Sequence, residues 1–164
     1  MKKVMSILIC VVLLASCSGE NMVDTLSLDK CTFESNVELI WQDKQFNGEI
    51  QRADINSIKL KISGDDLAVP VCYKISQGGY RVAQGELEYS VSLGDTQPQS
   101  AAMEIYRVFE LWGRYEPRKS DNLLVYETPY SILKYDRKAN AITSIETKNG
   151  KIIFKDFKFL SKEQ

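Results

Sequence analysis

Apolar and polar residues alternate along most of the chain between residues 31 and 160. In the first such segment Phe33, Val37, Leu39 and Trp41 share one parity, while charged and polar residues occupy most of the other. Successive side chains of a strand point to opposite faces of a sheet. This period of two therefore predicts a strand with one buried face.

The same alternation predicts nine further strands, so the strands are expected at residues 33–41, 46–51, 58–62, 69–75, 80–82, 87–93, 123–128, 131–136, 141–147 and 151–160. Turn-forming residues separate them, at Asp43-Lys44, Gly64-Asp65-Asp66, Gln77-Gly78-Gly79 and Asn149-Gly150. In the last strand the apolar parity flips between Phe154 and Phe157, which predicts a β-bulge near Lys155-Asp156.

One segment, residues 100–115, has a helical period instead. Its apolar residues recur at intervals of three and four, which places them on one side of a helix: Ala101, Ala102, Ile105, Val108, Phe109 and Trp112. Ser100 is a suitable N-cap, and Gly113 and Pro117 are expected to end the helix.

These elements predict a mainly β (α+β) fold of about ten antiparallel strands, with one amphipathic helix inserted after the sixth strand. One face of the sheet is apolar across most strands, and the helix is available to cover it. An open sheet of this size is expected to twist and curl.

The first 17 residues have the pattern of a bacterial lipoprotein signal. Lys2 and Lys3 supply positive charge, residues 4–14 are almost wholly apolar, and Leu14-Ala15-Ser16-Cys17 has the form of a lipobox. The apolar run is shorter than the roughly 20 residues that a membrane-spanning helix needs. We therefore predict a signal peptide at 1–16, lipidation of Cys17, a lipidated tether at 17–30 and one domain at 31–160. The alternatives are an ordinary signal peptide with a chance cysteine, or a short membrane anchor.

The composition excludes several kinds of chemistry. The chain has no histidine, so Ser-His-Asp and Cys-His catalysis are impossible and the commonest zinc ligand is missing. Without residues 1–16 the chain keeps 148 of its 164 residues and a formal charge of −3, because two of the 21 basic residues and none of the 22 acidic ones are removed. Lysine and arginine are scattered, so we expect solvated faces and no nucleic-acid binding. No cofactor or metal is predicted.

Two cysteines remain in the predicted mature domain, Cys31 and Cys72. A disulfide between them is one alternative for an exported protein. Two buried free thiols, which behave as small apolar groups, are the other.

Two close pairs of acidic residues, Asp65-Asp66 and Glu86 with Glu88, are the candidates for carboxylate chemistry. The first pair is interpreted as part of a turn and the second as the solvent face of a strand, because neither has a partner base. The protein is therefore expected not to be an enzyme, with a carboxylate hydrolase as a less favoured hypothesis.

The order of elements resembles the lipoprotein-carrier (LolA/LolB-like) superfamily, in particular its small lipoprotein members. The residues that carry the resemblance are 33–41, Phe46-x-Gly48-x-Ile50-x-Arg52, 58–62, 67–75, Tyr80, Gly85-x-Leu87, the helix from Ser100, and 153–159. The chain departs from the family at Gly64-Asp65-Asp66, where members usually carry a proline, and the first carrier helix is absent or reduced to part of 18–30. The resemblance implies a curved, unclosed antiparallel half-barrel with the helix packed on its concave face around an apolar cavity.

The favoured function is a non-enzymatic lipoprotein, exported and lipid-anchored to the outer face of the cell membrane, or to the outer membrane in a cell with two. It would bind a lipid, an acyl chain or a lipopeptide for transport, sorting or sensing. The candidate cavity lining is Phe33, Val37, Leu39, Trp41, Phe46, Ile50, Ile58, Leu60, Tyr73, Tyr89, Ile105, Phe109 and Trp112. A plain packed core would use the same residues. The alternative function is accordingly a cell-envelope scaffold or protein-interaction module with a filled core and no ligand.

Overall fold

The computed structural model describes residues 30–92 and 100–160. Within these ranges, eleven antiparallel strands form one unclosed sheet, accompanied by a single short α-helix. The strands are β1 (Phe33–Trp41), β2 (Lys44–Asp54), β3 (Ser57–Ser63), β4 (Val71–Ser76), β5 (Gly79–Gln84), β6 (Leu87–Val91), β7 (Arg118–Ser120), β8 (Leu123–Glu127), β9 (Ser131–Asp136), β10 (Ala141–Thr147) and β11 (Gly150–Phe159). The helix α1 (Ala101–Leu111) follows β6.

The predicted class, mainly β with an unclosed antiparallel sheet, is confirmed. The strand that the sequence pattern missed is β7, which has three residues, all exposed, and pairs with β8. Three exposed residues contain no alternation of apolar and polar side chains, so the pattern could not reveal this strand.

The strand order is β6-β5-β4-β3-β2-β1-β11-β10-β9-β8-β7. Every strand pairs with its sequence neighbours except at the break between β6 and β7, and β1 also pairs with β11. The first strand, β1, and the last strand, β11, therefore pair in the middle of the sheet. Among the strands in residues 30–92 and 100–160, β6 and β7 are the two edge strands. Because α1 lies between β6 and β7 in the sequence, it belongs to the segment that links those edges.

The helix begins where the sequence predicts and ends earlier. Ser100 is the N-cap, and its side chain accepts a hydrogen bond from the Met103 amide at 3.2 Å. The α-helix ends at Leu111, and Trp112–Arg114 form a turn of 3₁₀-helix. The Tyr115 amide donates to the Trp112 carbonyl at 3.2 Å, so the tighter turn gives one terminal carbonyl a partner.

The predicted β-bulge in the last strand is confirmed. The register between β1 and β11 shifts between Glu34 and Asn36, and Asp156 has a φ of 54°. Ser35 Oγ donates a hydrogen bond of 2.7 Å to the Lys155 carbonyl beside the irregularity. The extra residue changes which side chains of β11 face the core, which explains the flip of apolar parity.

The hairpin between β10 and β11 is confirmed with its turn displaced by one residue. Thr147 pairs with Gly150, so the two turn residues are Lys148 and Asn149. Gly150 does not have a positive φ. Glycine is needed at this position because the neighbouring strand is close, and a Cβ here would overlap the carbonyl oxygen of Ile40.

The possible disulfide is not formed. Cys31 and Cys72 are both free thiols of intermediate exposure. Cys31 lies against the hydrophobic core, whereas Cys72 sits opposite the exposed Lys61 on β3, on the other face of the sheet. Neighbouring strands lie about 4.8 Å apart, and three steps separate β1 from β4, so the two thiols are too distant to bond.

Candidate functional site

Most of the predicted cavity lining is packed into the core. Nine of the thirteen residues are 3% exposed or less and belong to one cluster: Phe33, Val37, Leu39, Ile50, Ile58, Leu60, Ile105, Phe109 and Trp112. At this level of burial they touch other side chains on all sides. A ligand could occupy this position only by displacing them.

Ring contacts join the helix to distant strands through this core. Phe109 of α1 lies 5.1 Å from Phe33 of β1, and Trp112 stacks on Tyr126 of β8 with the ring centres 5.3 Å apart. The guanidinium of Arg52 lies 5.1 Å from the centre of the Phe109 ring. Aromatic pairs at these separations fill the space between helix and sheet.

The other four predicted lining residues are Trp41, Phe46, Tyr73 and Tyr89, and they keep part of their surface exposed. On adjacent strands the residues Leu60, Tyr73, Val82 and Tyr89 stand directly opposite one another. Exposure rises along this row from 0% at Leu60 to 66% at Tyr89. The apolar face is therefore covered near β3 and uncovered at the β6 edge, where Leu87 is also 77% exposed.

An open groove lies beside the helix α1. This groove, which we call the helix–hairpin groove, has a volume of about 830 Å³. Its walls are one side of α1, the turn between β8 and β9, and the hairpin between β10 and β11. The lining residues are Glu104, Arg107, Val108, Leu111, Glu127–Ile132 and Glu146–Asn149. None of the thirteen predicted residues lines it.

The turn between β8 and β9 presents an aromatic ring to the groove. Thr128 Oγ1 accepts hydrogen bonds from the amides of Tyr130 at 3.1 Å and Ser131 at 3.0 Å, and the Thr128 amide donates to the Ser131 carbonyl at 2.9 Å. Thr128 and Ser131 are buried, whereas Tyr130 between them is 73% exposed. The hydrogen bonds fix the turn so that Pro129 and Tyr130 project from it.

Polar groups join the helix to the hairpin at the groove. Asn149 Nδ2 donates a hydrogen bond to Glu104 Oε1. Glu146 accepts from the ammonium groups of Lys134 at 3.0 Å and Lys151 at 3.1 Å, and these bonds hold the pKa of its carboxyl below the ordinary value. The groove thus combines apolar walls with a few placed charges, as small-molecule sites commonly do.

The hydroxyl groups of Tyr73 and Tyr80, on the core-facing side of the sheet, have raised pKa values and stay protonated. Burial raises the pKa of Tyr73, and the neighbouring Tyr80 raises it further. Burial also raises the pKa of Tyr80, while a hydrogen bond with Ser100 acts in the opposite direction. Neutral phenols donate and accept hydrogen bonds, so these two rings can receive a polar group without adding charge.

The four acidic candidates lie apart from the groove. Asp66 pairs with Lys44 at 3.4 Å and Glu88 with Arg81 at 3.1 Å, and both carboxylates are exposed. Asp65 and Glu86 are also exposed. In residues 30–92 and 100–160 no group of three His, Cys, Asp or Glu side chains is arranged to hold a metal ion.

A comparison with protein-family models and with curated protein sequences finds no match for this chain. Among the helical residues that the structure describes, none form a segment long and apolar enough to cross a membrane. The predicted signal peptide, the predicted lipidation site Cys17 and most of the predicted tether lie outside the described residues. They stay predictions, as does the resemblance to lipoprotein carriers.

The sequence pattern missed the helix–hairpin groove because its walls come from three separate segments. The polar side of α1 and two short turns are unremarkable when taken singly. One local sequence feature could have indicated this wall of the groove. A proline and a tyrosine between two hydroxyl residues predict an ordered turn at Thr128-Pro129-Tyr130-Ser131. Only the pairing of β8 through β11 places that turn beside the helix.

Proposed function

We propose that this protein is a membrane-anchored, non-enzymatic binding protein that takes a lipid, an acyl chain or a lipopeptide. In this proposal the sheet is a curved half-barrel, α1 lies on its concave side, and the ligand enters the helix–hairpin groove. Because the interior is packed, we propose the ligand site in this groove and not at the centre of the sheet.

The observation that carries the proposal is the size and lining of the groove. Its volume of about 830 Å³ lies within the range of about 300–1,000 Å³ that is typical of ligand sites. Val108, Leu111, Pro129, Tyr130 and Ile132 supply apolar surface, and Arg107 and Lys148 supply positive charge at its walls. Each CH₂ group removed from water contributes about 0.8 kcal/mol, so ten methylenes would contribute roughly 8 kcal/mol before ordering costs.

The anchor rests on the sequence of residues 1–17. A diacylglycerol on Cys17 carries two acyl chains, and two chains hold a protein stably at a bilayer where one does not. Metabolic labelling with an alkyne fatty acid tests this anchor. We expect label on the full chain and none on the Cys17→Ser variant; equal labelling of both would contradict the anchor.

The second candidate function is a protein-interaction module of the cell envelope. The packed interior favours it, because nine of the predicted lining residues are 3% exposed or less. Within the described part of the chain, β6 and β7 are the edge strands of the sheet, and edge strands offer backbone groups of the kind that partner strands bind.

Native mass spectrometry of residues 18–164, purified from bacteria without detergent, separates the two candidates. The lipid proposal expects an added mass that leaves on activation and matches a lipid. Leu111→Lys places a charge in the apolar wall and is expected to abolish the added mass. Glu110→Gln changes the side-chain charge by the same +1 at the neighbouring exposed position, which does not line the groove. This control variant should retain the added lipid mass.

The possible outcomes of this experiment distinguish between the proposals. A protein that stays free of lipid after incubation with membrane lipid vesicles contradicts the lipid proposal and favours the interaction module. Lipid retained by Leu111→Lys as well as by Glu110→Gln would show that binding occurs elsewhere, and the row that ends at Tyr89 would then be the place to substitute.

A further inference from the structure

Four of the scattered basic residues lie together on one face of the sheet. Strands β3, β4 and β5 carry four basic residues, Lys59, Lys61, Lys74 and Arg81, and no acidic residue. All four are exposed and lie on the face opposite the core. We call this surface the cationic face.

The register sets three of these charges side by side. Lys59 pairs with Lys74, and Lys74 pairs with Arg81, across three adjacent antiparallel strands. Like charges directly opposite each other in a sheet are destabilising. The fold therefore keeps an arrangement that costs free energy unless an anion approaches it.

Acidic residues from the flanking strands neutralise only the outer members of the group. Glu49 of β2 lies 3.4 Å from Lys61, and Glu88 of β6 lies 3.1 Å from Arg81. Among the ion pairs of the described residues, none involves Lys59 or Lys74. Lys74, on the central strand β4, carries the most isolated of these charges, whereas Lys59 shares a surface pocket with the acidic residues Glu34, Glu49 and Asp156.

The other eight strands of the sheet together carry eight basic and nine acidic residues, so they have no comparable excess of positive charge. Strands β8, β9 and β10 carry Glu127, Asp136 and Glu146 against one lysine, Lys134. Strands β3, β4 and β5 thus carry a local excess of positive charge although the overall charge of the chain is slightly negative. A charged surface orients a molecule with this asymmetry, turning the cationic face toward negative charge.

We infer that the cationic face docks on an anionic phospholipid surface and orients the tethered domain against its membrane. The inference rests on the proposed lipid anchor, which brings a bilayer within reach. A segment of the length of residues 18–30 spans at most about 45 Å when extended, enough for the domain to turn either face to the bilayer. Charge complementarity selects the occupant, because phospholipid phosphates form a continuous layer of negative charge.

The docking contact is expected to be strong enough to orient the domain at the bilayer and too weak to anchor it there. Each basic residue near an anionic bilayer raises the docked population about fivefold at low salt. Removal of Lys59 and Lys74 together should therefore lower the ratio of docked to undocked protein by roughly 25-fold. The contact should also weaken as salt rises, because exposed charges are screened.

Cys72 is a natural reporter of this docking. It lies on β4 directly opposite Lys61 and two residues from Lys74, on the same face, and is a free thiol of intermediate exposure. The full lipidated chain carrying Cys31→Ser is reconstituted into vesicles of phosphatidylcholine, with or without phosphatidylglycerol. The rate at which a bulky neutral maleimide labels Cys72 is then measured, each variant being normalised to its own rate on phosphatidylcholine.

We expect phosphatidylglycerol to slow the labelling of Cys72 severalfold, and high salt to restore the rate. The Lys59→Gln/Lys74→Gln variant should lose this protection. The control variant Arg118→Gln/Lys138→Gln removes the same charge from exposed positions outside the cationic face and should keep it.

Flotation on phosphatidylcholine vesicles reports the anchor separately. A protein that floats but is labelled equally on both vesicles overturns the docking proposal and leaves the anchor standing. Loss of protection in the control variant to the same extent as in Lys59→Gln/Lys74→Gln also overturns it, because net charge alone would then be the cause. A protein that does not float overturns the anchor and, with it, docking.

Discussion

Arg52 and Phe109 meet inside the domain, with the guanidinium of Arg52 lying 5.1 Å from the centre of the Phe109 ring. Arg52 is only 2% exposed. It donates to the carbonyl oxygens of Cys31 and Ile55, both at 2.8 Å. A charged side chain of β2 therefore ties the start of β1 and the β2–β3 turn to the helix.

Replacement of Arg52 should destabilise the fold. Arg52→Met keeps apolar bulk but leaves the carbonyls of Cys31 and Ile55 without these donors, which should lower the free energy of unfolding by about 2–4 kcal/mol. Urea denaturation measures the change. Arg52→Lys keeps the charge and loses the planar fork, so an intermediate loss is expected. A methionine variant as stable as the parent would show that the hydrogen bonds contribute nothing net.

Two glycines should respond oppositely to the same substitution. A Cβ at Gly48 would lie 2.5 Å from the carbonyl oxygen of Lys61 on the neighbouring strand, whereas a Cβ at Gly78 meets nothing within 4 Å. Gly48→Ala should therefore lower the free energy of unfolding by about 1–3 kcal/mol. Gly78→Ala should leave it unchanged or raise it by up to about 1 kcal/mol. Thermal and urea unfolding of the two variants, run in parallel, check this; equal effects would contradict the close approach of β2 and β3.

The contribution of Glu146 to stability should depend on pH. Lys134 and Lys151 lower the pKa of its carboxyl in the folded protein. The folded state therefore binds this proton less readily than the unfolded state, and the stabilisation is complete above the ordinary glutamate pKa of about 4.3. It is lost as the pH falls through the lowered folded value.

Comparison of Glu146→Gln with the parent chain isolates this contribution. The difference in the free energy of unfolding should be roughly 0.5–1 kcal/mol near neutral pH and should shrink toward zero in acid. Unfolding curves collected across this pH range provide the measurement. A difference that does not change with pH would mean that the carboxylate acts through packing and not through its two ion pairs.

The two cysteines should remain reactive without a reductant. In denaturant, alkylation of residues 18–164 should add one adduct at Cys31 and one at Cys72, because both are free thiols. Intact mass spectrometry counts the adducts. A mass without adducts that gains both only after reduction would indicate a disulfide, and would require β1 and β4 to lie closer than they do here.

The sequence could predict the parts of the fold that depend on local patterning. The alternation from Phe33 to Trp41 is imposed by the two faces of a strand, and the parity flip between Phe154 and Phe157 marks a bulge that the register confirms. The N-cap at Ser100 follows from the same kind of local chemistry. Such features survive in any tertiary arrangement because they depend on neighbours in the chain.

Other features were decided only when distant segments met. The same apolar residues can line a cavity or fill a core, and the position of α1 decides the outcome by burying Phe33 against Phe109. Lys59, Lys74 and Arg81 are separated in the chain, and only the register of β3, β4 and β5 aligns them. The sequence by itself determined ten of the eleven described strands and the helix, since local geometry and side-chain polarity specify them, and it predicts the anchor. The tertiary structure alone decided the groove, the packed interior and the cationic face, because each depends on long-range strand pairing that no short stretch of sequence encodes.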